Sequence, residues 1–186
     1  NNNRGGNFDN RITGTYRLNV SQSDNLTRTI EKEISNLNLN ANQRDRIQRN
    51  LERRLSSPDM MVIEKRGREV SMASSLSPQV TFMADGVSRS ETTNNGRTMQ
   101  VRASATNNDL TIDYEGDRMN DFYVSFVPDN NRQLRVTRRV HLENRNETVS
   151  VTSVYDKIDN VARWNNIDYQ NNFPNTTTCG HTNFIV

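Results

Sequence analysis

A single cysteine in 186 residues, Cys179, rules out an internal disulfide framework. No uninterrupted apolar run reaches 6 residues, so no segment can span a membrane as a helix. Hydrophobic residues make up 32% of the chain and glycine adds only 8 residues, against roughly 45–50% apolar for a typical globular domain. That is too little for a large dry core such as a doubly wound α/β domain. A surplus of one charge is missing as well. The 24 basic and 22 acidic residues leave +2, which gives no electrostatic footprint for nucleic acid.

Catalytic and cofactor signatures are also scarce. The runs G-x-x-x-x-G-K-[ST], G-x-G-x-x-G and G-x-S-x-G do not occur, so no cofactor is expected. The only histidines are His141 and His181. Cys179-Gly180-His181 puts a thiol beside an imidazole, but a nucleophile needs an oriented base and usually a third group. These residues fall short of the four ligands of a structural zinc site. The expectation is a protein that is not an enzyme and holds no metal.

What the chain does have is asparagine, 28 residues of it, and arginine, 21 against 3 lysines. It begins at Asn1 rather than Met, from which we expect a removed N-terminal segment and an exported protein, whether periplasmic, cell-surface or extracellular. Residues 1–12 are Asn- and Gly-rich and read as an N-terminal tail.

From Thr13 the chain alternates. Tyr16, Leu18 and Val20 take one face and Thr15, Arg17 and Asn19 the other, the period of a half-buried strand. The period then lengthens. Leu26, Ile30, Ile34 and Leu37 recur at helical spacing after the capping candidates Ser23 and Asp24. Asn40 to Gln43 has the form of a capping box, followed by Ile47, Leu51 and Leu55, with Pro58 just beyond. The spacing predicts two short helices over about 24–56, joined as a hairpin.

Beyond Asp59 the helical period does not return. Strands are expected at Met60–Lys65, Glu69–Ser74, Gln79–Ala84, Val87–Thr93, Arg97–Ala105, Asp109–Glu115, Asp121–Val127, Gln133–Leu142 and Glu147–Tyr155. Turn residues separate them, the D-G pair Asp85-Gly86 most clearly. Connections this short should pair each strand with the next. One apolar face per strand favours a sheet that closes on itself. The fold class expected is all-β: a ten-stranded antiparallel up-and-down barrel over residues 13–157, with a helix-turn-helix between strands 1 and 2. Its interior should be part cavity. Residues 158–186 form an aromatic and Asn-rich C-terminal tail that holds Trp164, Tyr169, Phe173 and Phe184.

This layout resembles the fatty-acid-binding protein branch of the calycin (lipocalin-like) superfamily, which starts with a G-x-W strand, inserts two helices and continues with nine strands. Gly14-Thr15-Tyr16 stands at the G-x-W position, with Tyr in place of Trp, Met60-Met61-Val62-Ile63 and the Arg66-Gly67 turn resemble the second and third strands, and Val154-Tyr155-Asp156-Lys157 resembles the closing R-V-Y-E-R run. The resemblance covers Gly14 to Lys157 and implies a barrel with a ligand inside. The family's carboxylate-binding arginines do not carry over. Ser153 occupies one position, and the eighth strand, Phe122 to Phe126, has no arginine.

Arg138 lies on an apolar face, between Val136 and Val140. Three readings are open. It is an anion-binding group in a cavity, with Tyr155 and Ser153 on the next strand. It is paired internally with a carboxylate or sits near the barrel mouth. Or a bulge turns Arg139 inward instead. Phe82, Tyr114, Phe122 and Phe126 are candidate cavity walls, or equally a packed core. Arg44, Arg46, Arg49, Arg53 and Arg54 on the second helix read as a solvated face rather than a docking surface, since Asp45 and Glu52 are interspersed.

Two functions are compatible with this pattern. One is a binding protein for a small hydrophobic or amphipathic ligand, with the helix pair as a lid. The other is a structural protein of a cell surface or matrix that self-associates through residues 158–186, by docking or by adding a strand to an exposed edge. Neither involves nucleic acid or a membrane span.

Overall fold

In the computed structural model, which describes residues 4–92, 96–116, 121–142 and 146–167, alternation becomes strand nearly everywhere the sequence carries it. The strands are β1 (Gly14–Asn19), β2 (Met60–Arg66), β3 (Glu69–Ser74), β4 (Ser77–Met83), β5 (Ser88–Thr92), β6 (Thr98–Ala105), β7 (Leu110–Glu115), β8 (Asp121–Pro128), β9 (Gln133–Leu142) and β10 (Glu147–Asp159). They form one antiparallel sheet in the order β4-β3-β2-β1-β10-β9-β8-β7-β6-β5. The first and last strands meet in its middle, and two helices fill the connection from β1 to β2. This is the order of elements that the resemblance implies.

The sheet curls into a half-barrel around its apolar face, with β4 and β5 as its two edges. Here the structure departs from the fully closed cylinder expected. These strands follow one another in sequence but do not pair. The physical reason lies in β5, Ser-Arg-Ser-Glu-Thr, which has no apolar side chain to draw it onto β4.

Three α-helices among the described residues cover the ends. α2 (Leu26–Ile34) and α3 (Ala41–Leu55) form the expected hairpin. Their buried residues Ile30, Ile34, Leu51 and Leu55 pack with Val140, Val149 and Val151 of β9 and β10 in one cluster. The Asn40–Gln43 capping box forms in full, each side chain accepting from the other residue's backbone N–H.

The cap of α2 differs from expectation. It is Asn25, whose side chain accepts from the backbone N–H of Arg28. Ser23 and Asp24 serve β10 instead. The Thr152 N–H donates to the Asp24 carboxylate at 2.9 Å and the Val154 N–H to the Ser23 hydroxyl at 2.8 Å. β1 reaches only as far as Val154 along β10, so the edge beyond needs partners from elsewhere.

The N-terminal segment is not wholly a tail. Residues Arg4–Ile12 form α1. Phe8 and Ile12 lie one turn apart and are buried in the main core, with Tyr16, Met61, Ile63, Val70, Leu110 and Phe126. Strand directions place α1 at the barrel end opposite the helix pair. Its anchors are distant in sequence. Lys65 Nζ donates to Asp9 Oδ1 at 2.6 Å, Lys157 Nζ to the Arg11 carbonyl at 2.7 Å, and the Tyr16 hydroxyl to the Ile12 carbonyl at 2.7 Å. Two of the chain's three lysines thus hold this one helix.

β10 also runs past the expected end at Tyr155, because Tyr16 pairs with Lys157 and Thr15 with Asp159. Beyond it, Thr15 Oγ1 donates to the Val161 carbonyl and accepts from the Arg163 N–H, both at 2.9 Å. Residues 168–186, which hold most of the segment expected to mediate self-association and the Cys179-Gly180-His181 run, lie outside the described residues. No helix among the described residues is long and apolar enough to cross a membrane.

Candidate functional site

The gap between the edge strands leaves a groove of about 510 Å³ that opens onto the inner face of the sheet. The pairings Val70↔Phe82 and Met72↔Val80 turn Phe82 and Val80 inward from β4. On the far side Val101 and Ala103 of β6 stand beside Tyr114 and Ile112 of β7, in register. These six side chains give the groove apolar walls. β5 contributes the polar part, because Arg89 pairs with Val101 and Glu91 with Met99, which puts both charges on the inward face.

The two charges are handled differently. Arg89 donates through Nη1 and Nη2 to Asp85 Oδ1 and Oδ2, at 2.9 and 2.6 Å. Asp85 sits in the turn before β5, where it also accepts from the Val87 N–H, and the Arg89 guanidinium holds its carboxyl well below the usual range. Glu91 lies beside Tyr114, whose phenol is pushed well above its ordinary value by burial first and by the Glu91 charge second.

A second polar group lies deeper. Arg138 is 1% exposed, and the unshifted register of β9 against β8 and β10 settles that it, not Arg139, points inward. Arg139 is exposed and stands over the Tyr123 ring at 5.2 Å. Arg138 Nη1 donates to Ser57 Oγ at 3.2 Å. Ser57 and Ser153 share a short hydroxyl contact, and the Tyr155 hydroxyl donates to the Pro58 carbonyl at 2.8 Å. Burial draws the Arg138 guanidinium below its ordinary pKa, opposed by the Tyr155 phenol. Burial raises Tyr155, against the charge of Arg138. This layer lies between the two apolar clusters, where the chain leaves α3 and enters β2.

The candidate residues therefore fall into three places. Phe82 and Tyr114 line the groove. Arg138, Tyr155 and Ser153 come together, but in the buried layer and not at the groove wall. Phe126 is fully buried in the packed core, and Phe122 bridges the two clusters, its ring 6.1 Å from that of Tyr114.

No family model and no curated protein matches this sequence. Solved structures do. The REP1-NXSQ fatty acid transporter is 17% identical, with a TM-score of 0.47 over 80% of this chain and 96% of its own. Fatty-acid-binding protein 1 of Echinococcus granulosus is 18% identical, with a TM-score of 0.48 over 80% of this chain and 98% of its own. A lipid-binding protein of Caenorhabditis elegans is 16% identical, with a TM-score of 0.47 over 79% of this chain and 95% of its own.

Several groove residues escape a sequence reading. Val80, Val101, Ala103 and Ile112 are ordinary strand residues until β4 and β5 part. For Arg89 and Glu91 the sequence shows only that both charges share one face of the strand, and the pairing with β6 is what turns that face towards the groove. Ser57 has none, because it meets Arg138 across 81 residues of chain. His141 is on the outer face, with Nδ1 3.0 Å from Thr148 Oγ1. Among the described residues no group of three or more His, Cys, Asp or Glu is placed to hold a metal.

Proposed function

We propose that the protein binds a small lipophilic or amphipathic ligand, and that the groove between β4 and β5 receives its apolar part. The observation that carries this reading is the groove itself. Its volume falls in the range of about 300–1,000 Å³ usual for small-molecule sites, and its walls combine aliphatic and aromatic side chains with a few polar groups at fixed places. Phe82 and Tyr114 are the aromatic walls in this reading.

The test is titration with the neutral, environment-sensitive dye Nile red. The wild-type protein should bind it saturably, and Phe82→Asp, on an edge strand, should weaken binding at least about ten-fold by placing a charge in an apolar site. Saturable binding unaffected by Phe82→Asp would move the ligand elsewhere. No binding at all would overturn the reading.

For Arg138, Tyr155 and Ser153 the expected role was to meet the polar end of the ligand. Their contacts with Ser57 and Pro58 support a different one, a clamp that fixes the exit of the helix pair against β9 and β10. Arg138→Met separates the two. A clamp predicts faster hydrogen exchange in α2 and α3 with Nile red and dodecanoate affinities unchanged. An anchor predicts selective loss of dodecanoate.

A further inference from the structure

Three cations gather where α1 ends, away from the groove. A cleft of about 280 Å³ there is lined by Asn10 and Arg11 of α1, by Asp129, Asn130 and Arg132 of the turn between β8 and β9, and by Lys157 of β10, none of which lines the groove. The three cations bond only neutral groups. Arg132 Nη1 donates to Asn160 Oδ1 at 2.7 Å and Nη2 to the Lys157 carbonyl at 3.4 Å. Lys157 Nζ donates to the carbonyls of Asn10 and Arg11 and stands over the Tyr16 ring at 5.6 Å. Arg11 Nη2 donates to the Asn107 carbonyl, and its guanidinium stands over the Phe8 ring at 5.7 Å. The carboxylate among the lining residues, Asp129, is turned to the backbone, where Oδ1 accepts from the N–H groups of Asn131 and Gln133 at 2.8 and 3.0 Å. Three positive charges against one negative leave the cleft at +2. The Lys157 ammonium is drawn below its ordinary pKa by burial first and by the Arg132 charge second.

Arg132 also holds an unfavourable backbone. Its φ is +60°, in the left-handed region, although Asn131 beside it would adopt that conformation at lower cost. The Arg132 carbonyl accepts from the Lys157 N–H at 2.8 Å, which fixes the two residues side by side. Strain kept at one residue in this way points to a role for its side chain.

We propose that this cleft binds a phosphate or sulfate group, either as the free ion or as the head of a monoester. Arg132 uses two of its five N–H donors in the bonds above and Lys157 two of its three, so both have donors left for an oxyanion. These donors arrive from a turn and a strand, with Asn10 and Asn130 beside them, which suits a tetrahedral anion better than a planar carboxylate. The cleft is slightly smaller than the roughly 300 Å³ at which small-molecule sites begin, so it admits an ion or a small head group and not an alkyl chain. An anion held there relieves the repulsion between Arg132 and Lys157 and offsets the strain at Arg132.

Thermal unfolding of the full chain in inorganic phosphate tests this, with chloride at matched ionic strength as the reference. The wild-type protein should melt about 3–6 °C higher at a phosphate concentration ten times the dissociation constant. Arg132→Gly removes the cation and relieves the turn, so it should melt no lower than wild type in chloride and lose the phosphate shift. Arg132→Lys keeps the charge without the guanidinium fork and should retain part of the shift. Arg135→Ala removes an exposed arginine of β9 outside the cleft and should retain all of it. Glycerol 3-phosphate distinguishes the two sources of the anion. Saturation at lower concentration than inorganic phosphate assigns the site to a monoester, and saturation at the same or higher concentration assigns it to the free ion. No shift beyond chloride in the wild-type protein, a full shift in Arg132→Gly, or equal losses in Arg132→Gly and Arg135→Ala would each overturn the proposal.

Discussion

Lys65 Nζ lies between the Asp9 carboxylate and the Gly67 carbonyl, with only 7% of its side chain exposed to water. Removing one member of such a pair strands the other. Lys65→Met should therefore cost about 3–5 kcal/mol in chemical denaturation, whereas the double variant Lys65→Met with Asp9→Leu should recover most of that loss. Equal stability of the single and double variants would show that the pair carries no coupling.

The buried phenols behave as a set. Burial raises Tyr16, Tyr114 and Tyr155 above the ordinary value of 10.0. In each case the folded state keeps the proton where the unfolded chain has begun to lose it. Their contribution to stability is thus complete below pH 10 and is lost as pH rises towards the folded values. Unfolding free energy should fall from about pH 10 upwards, and tyrosinate absorbance from these residues should appear together with loss of the far-ultraviolet signal. Tyrosinate forming at all three in the still-folded protein would contradict their burial.

At the level of elements, two short sequences set how pieces begin and meet. The capping box of α3 satisfies two backbone donors at once, and Asn40→Ala should cost about 1 kcal/mol. Gly14 opens β1 where a Cβ would stand 2.7 Å from the Asp159 carbonyl oxygen of β10. The strands approach too closely there for any side chain. Gly14→Ala should cost about 1–3 kcal/mol through displaced backbone, read as a lower melting temperature with early loss of the β1–β10 pairing. An unchanged melting temperature would mean that the junction has slack. Much of this was legible in the sequence. Each of the ten expected strands forms, with ends shifted by a few residues and β10 running on to Asp159, while the register of β9 is fixed only by its pairing with β8 and β10. The helix α1 was not legible, because Asn and Gly dominate its composition and its anchors, Lys65 and Lys157, are brought to it only by the sheet.

For the whole molecule, the half-barrel has a firm middle and loose edges. β1 and β10 are hydrogen-bonded on both sides, whereas β4 and β5 each have one neighbour. Amide exchange should be slowest at Tyr16 and Val154 to Lys157 and fastest in β5, and a ligand in the groove should slow β4 and β5 first. Protection appearing first in α2, α3 and the segments of β9 and β10 beneath them would instead place the ligand under the helix pair.

The sequence by itself determined which residues form strands, which face is apolar in most of them and where the helix pair enters; the unshifted register of β9 then settled that Arg138, not Arg139, shares the inward face. The first three properties depend on neighbours two to four positions away, and period and turn chemistry record them directly. Tertiary structure decided where the sheet stays open, which of the inward aromatics meet empty space and which partners hold Arg138. These depend on strands that do not pair and on contacts between residues far apart in the chain, and no local pattern encodes the distance between two edges that never touch.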